Sequence, residues 1–80
     1  MDARSTVGLY DAVLTACDRR DVRAVERAVD YLIASLDFDF DHAARLLVSV
    51  YADGTLHAAR GRFDAAAAVF ESLRQAASGA

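Results

Sequence analysis

The side chains able to do chemistry are few and scattered. The two histidines, His42 and His57, stand fifteen residues apart, about four turns on a shared helix. Acid–base or metal work needs a second group facing the imidazole at a suitable spacing. Neither histidine has such a His-Glu pair, so each reads as a surface or capping residue. Cys17 is the sole cysteine, which leaves no intrachain disulfide and no cysteine-based zinc site and suits a reducing compartment. It reads as a small buried apolar side chain. Asp37, Asp39 and Asp41 imitate the first ligand positions of a calcium loop, but that loop next needs a glycine and later a glutamate at its twelfth position. His42 and Val48 stand there instead. Ser5, Thr6 and Gly8 make no phosphate-cradling turn. The expectation is therefore no enzyme, with no catalytic residue, cofactor or metal.

Composition narrows the class further. Eighty residues, 55% apolar and 26% charged, fit one small globular domain spanning residues 1–80. Net charge is −3, and the nine basic residues are all arginines dispersed among twelve acids. No basic stripe exists to neutralise a phosphate backbone, so nucleic acid is not the expected partner. No apolar run approaches the roughly 18 residues of a membrane span, and no signal-peptide segment follows Asp2 and Arg4. A cytoplasmic chain with no membrane partner is expected. Domains this short bury only about 60% of their unfolded surface, so the core gains from an assembly partner.

The elements that must position any site are helical. Proline is absent and glycine occurs four times, so little breaks the chain except at turns. Val7, Tyr10, Leu14 and Cys17, with Leu9 and Val13 beside them, place a first amphipathic helix near 4–18. Asp21 can cap a second helix, 21–36, whose residues Val22, Val25, Val29, Leu32 and Leu36 step by 3, 4, 3 and 4. The alternating run from Leu36 to Asp41 has no strand to pair with and reads as a loop carrying Phe38 and Phe40. Asp41 caps a third helix, 41–60, with Ala44, Leu47, Val50 and Tyr51 on its apolar face and Leu46 beside it, continuing through Leu56 towards Ala59. Gly54 inside it costs about 1 kcal/mol relative to alanine and marks a close helix contact or a bend. Gly61 supplies a left-handed terminus, and Phe63, Ala66, Phe70, Leu73 and Ala77 stripe a fourth helix, 62–77. Residues 9–33 also align with 50–74 at a constant offset of 41, pairing Tyr10 with Tyr51 and Val22 with Phe63. The fold class expected is all-α, a small antiparallel four-helix bundle made of two helical hairpins.

The order of short motifs resembles the flagellar export chaperone family FliS. Leu9-Tyr10-Asp11 resembles that family's Leu-Tyr-Asp in its first long helix, and Ser35-Leu36-Asp37-Phe38-Asp39 its Ser-Leu-Asp-Phe-Glu between the middle helices. Ala44 to Tyr51 resembles the family's Ala-x-x-Leu-x-x-(Ile/Leu)-Tyr, and Leu73-Arg74-Gln75-Ala76 its Leu-Arg-Glu-Ala, although the closing Trp is Ala77 here. The resemblance implies an antiparallel bundle that sequesters an aggregation-prone helical segment of a flagellin-like or other secreted subunit. Its candidate partner-binding residues are Leu9, Tyr10, Leu47, Val50 and Tyr51. For the two tyrosines, a core position with the hydroxyl at the bundle rim is an equal alternative. A second resemblance, to a tetratricopeptide-like hairpin, rests on Gly54, Gly61, Phe63, Ala66 and Phe70. A structural homodimer completing its core across a two-fold axis needs no client at all.

Overall fold

A computed structural model describes residues 3–36 and 42–78. It contains four helices, α1 (Ala3–Asp18), α2 (Val22–Ala34), α3 (His42–Ala59) and α4 (Phe63–Ser78). Each helix packs on its two neighbours, with α1 against α2 and α4, and α3 against α2 and α4. This is the all-α four-helix bundle of two antiparallel hairpins that the periodicity implies. The run Asp37–Asp41, with its aspartates and Phe38 and Phe40, lies outside the described residues.

Both hairpin turns are set by local chemistry. Asp21 is extended, and its carboxylate accepts a hydrogen bond from the Ala24 amide at 3.1 Å, satisfying one of the free N–H groups that open α2. Before it, Arg20 takes a left-handed conformation at φ 55, and Gly61 does the same at φ 79 between α3 and α4. The two positions are related by the offset of 41, and so are their hydrogen bonds. Asp21 N–H donates to the Ala16 carbonyl at 3.0 Å, and Arg62 N–H to the His57 carbonyl at 2.8 Å. Arg20 and Gly61 N–H each donate to a carbonyl three residues back, Cys17 and Ala58, at 3.0 Å. These are paired Schellman closures. Arginine is not at ease in this conformation, but its guanidinium lies 5.7 Å from the centre of the Phe63 ring, a favourable cation–π position. That contact also places the two turns at the same end of the bundle.

Helix α2 ends at Ala34, two residues short of the expected boundary. The Ser35 hydroxyl donates to the Leu32 carbonyl at 2.7 Å. The Ser35 and Leu36 amides also reach carbonyls three residues back, so the last turn tightens and stops.

The core joins the hairpins around Tyr10, Val13, Cys17, Val25, Val29, Leu32, Tyr51, Ala58, Ala66 and Phe70. The sequence alignment at offset 41 is thus a spatial one, since most of these residues fall on corresponding positions of the two hairpins. Gly54 confirms the close-contact reading. A Cβ placed there would sit 2.5 Å from Phe70 Cε2, well inside van der Waals contact. Phe70 in turn stacks on Tyr51 with ring centres 6.2 Å apart and planes at 25°.

Candidate functional site

The five residues singled out from the sequence do not form one exposed patch. Tyr10 and Tyr51 are 3% and 1% exposed. They meet across the bundle diagonal edge-to-face, with ring centres 6.2 Å apart, and one hydroxyl donates to the other at 2.7 Å. Each phenol satisfies the other where water is excluded, as buried polar groups require. Burial, and secondarily the hydrogen bond shared with Tyr10, push the Tyr51 phenol well above its ordinary value. The two rings therefore join α1 to α3 inside the bundle, the core position that the sequence left as the alternative. Leu9, Leu47 and Val50 are half-buried, with Leu9 and Leu47 packed against the core.

Exposed apolar surface lies elsewhere. Leu56 is 48% exposed and Leu46 59%, and Ala59 is exposed as well. The expected continuation of the α3 core face through Leu56 to Ala59 is corrected here: the buried positions of that half-helix are Gly54 and Ala58. Leu56 and Ala59 instead line a groove of about 360 Å³ between α2 and α3, together with Val29, Ile33, Val48 and Ala52. Glu26 and Asp30 of α2 stand on its edge, and Thr55 of α3 adds a hydroxyl side chain. That hydroxyl is already used, donating to the Tyr51 carbonyl at 2.8 Å. A smaller groove of about 230 Å³ between α1 and α2 is lined by Leu9, Ala12, Ala24, Arg27, Ala28 and Tyr31, and Tyr31 is 61% exposed.

The internal symmetry explains why α2 and α3 leave a gap. The offset of 41 makes the α2–α3 seam the counterpart of the α4–α1 seam. Arg74 of α4 there forms an ion pair with Asp11 of α1. The corresponding positions are Ile33 and Ala52, both lining the open groove. Val29 stands where the other hairpin has Phe70, and Thr55 where α1 has Leu14. At each of these positions the α2–α3 side carries the shorter side chain, and a seam short of side-chain volume stays open.

No protein-family model, curated protein or solved structure matches this chain. Among the described residues no three of His, Cys, Asp and Glu gather as a metal cluster, and no helix is long and apolar enough to cross a membrane. Cys17 is a free, buried thiol, and burial raises its pKa, which disfavours the nucleophilic thiolate.

The groove could not be read from the hydrophobic pattern alone, because it is defined by what is too small at Ala52 and Thr55. The signal that could have found it is the offset of 41, applied to the residues between the core stripes.

Proposed function

We propose that this chain is a small helical protein-binding module that holds an aggregation-prone amphipathic helix of a partner in the α2–α3 groove. It would act as a cytoplasmic chaperone of the flagellar or type III secretion kind, shielding the segment until export. The observation that carries this reading is the open apolar seam with Leu56 half exposed at its wall. Amphipathic helices commonly seat their apolar face in such a groove between helices. The motif resemblance supports an export client, while the buried Tyr10–Tyr51 pair moves the binding surface away from those two rings.

The test is a fluorescence-anisotropy titration with an uncharged amphipathic peptide of about 18 residues, long enough to form a helix. Leu56→Glu puts a charge into the apolar wall, while Leu56 itself adds little to the core. The variant should retain its circular-dichroism melt and lose at least about tenfold in affinity, as expected for a charge facing an apolar ligand. Unchanged affinity in a folded Leu56→Glu protein would remove the groove from the function.

A second reading, a structural homodimer, is favoured by the exposed Leu46 and Tyr31, which lie outside the groove. Sedimentation equilibrium decides it. A concentration-dependent dimer that Leu46→Glu or Tyr31→Glu abolishes would establish it.

A further inference from the structure

The edge of the α2–α3 groove has a sign. Glu26 and Asp30 sit one turn apart on α2, both exposed, and among the described residues neither is in an ion pair. No basic residue lines the groove among the described residues, and Arg27 lines the smaller groove on the other side of α2. The apolar floor is thus bordered along α2 by two exposed carboxylates.

The molecule contains its own example of how such a seam is closed. On the symmetry-related side, Arg74 reaches from α4 to the carboxylate of Asp11 on α1. The groove side has lost the arginine, since Ile33 takes its place, and has its carboxylates on the other helix. A helix arriving from outside would restore that arrangement by laying apolar side chains on Ile33, Ala52 and Leu56 and a basic side chain against Glu26 and Asp30.

Resting on the groove reading above, we infer that the occupant is a cationic amphipathic helix of another protein, with arginine or lysine along the flank that faces α2. Glu26 and Asp30 then select the partner and fix its orientation, because charges at the border of an interface act on specificity and encounter more than on gross affinity. Acidic amphipathic helices are rejected by the same two residues.

Three synthetic peptides with one shared leucine–alanine face test this. One carries two arginines flanking the apolar stripe, the second carries them on the opposite face at equal net charge, and the third is uncharged. The flank-arginine peptide should bind about fivefold tighter than the back-arginine peptide, as two partly exposed ion pairs allow. Glu26→Gln/Asp30→Asn should bring the two to equal affinity, and so should raising salt to about 0.5 M, where exposed charges are screened. Equal binding of both arginine peptides to the unaltered protein would overturn the inference while leaving the groove reading in place. If a folded protein binds none of the three, both fall. A chain that instead dimerises with rising concentration and excludes every peptide would make a second copy the occupant and likewise overturn it.

Discussion

The two hairpins share one frame and fill it differently. In α1–α2 the corresponding buried positions hold Val13 and Val29, two side chains of equal size. In α3–α4 the same positions hold Gly54 and Phe70, and the missing side chain at one is the space taken by the ring at the other. Both solutions fill the interior. The seams between the hairpins are not filled equally: Arg74 and Asp11 close α1–α4, while Ile33 and Ala52 leave α2–α3 open. A near-symmetric bundle thus keeps an open apolar groove by carrying less side-chain volume on one side only, without changing its topology.

The largest effects should come from breaking the glycine–phenylalanine exchange. Phe70→Ala removes a fully buried ring and should cost about 3–5 kcal/mol, close to the whole stability of a domain this small. Urea unfolding should find the chain largely unfolded without denaturant. Gly54→Val alone overpacks the same site. Combined with Phe70→Val it copies the first hairpin, and the double variant should be more stable than either single one. A coupling of about 1–3 kcal/mol is expected for residues in contact. Additive losses would mean that the two hairpins do not share a packing solution.

A smaller effect is expected at the diagonal. Tyr10→Phe or Tyr51→Phe removes one phenol and strands the other in the core, costing about 1–3 kcal/mol each. Tyr10→Phe/Tyr51→Phe leaves no stranded group and should lose less than the sum, which a double-mutant cycle on denaturant midpoints measures. Strict additivity would show that the hydroxyls do not depend on each other.

Alkaline pH should expose the same pair more gently. The Tyr51 phenol is raised above its ordinary 10.0 in the fold, so the unfolded chain releases that proton first. The stabilisation is fully present below about pH 10 and is lost as pH climbs from there towards the folded value. Melting midpoints should fall more steeply between pH 9.5 and 11.5 for the unaltered chain than for Tyr51→Phe. Parallel curves would show that Tyr51 titrates as an exposed phenol.

Much of this frame is legible in the sequence because it rests on local chemistry. Asp21 stands directly before an apolar run and caps it, Gly61 has the conformational freedom its turn requires, and Gly54 announces a close contact inside a helix. The left-handed Arg20 gives no such signal, because arginine does not favour that conformation; only its register with Gly61 points to it. In α3 the periodicity misleads for a physical reason. The core positions of its second half are Gly54 and Ala58, which carry little hydrophobic signal, so the larger Leu56 draws the apolar face towards itself while actually lining the groove. Tyr10 and Tyr51 stand out as large amphipathic residues in both settings, and spacing does not tell a hydroxyl pair across the bundle from two rings at a surface.

On the proposed function, the α2–α3 seam binds because it lacks what closes α1–α4. The direct measurement is to transplant the closed seam, with Ala52→Asp and Ile33→Arg together, and to titrate the folded variant with the uncharged amphipathic peptide. A protein that keeps its helical signal and melting midpoint within a few degrees but no longer binds is the predicted result. Wild-type affinity in the folded transplant would contradict it.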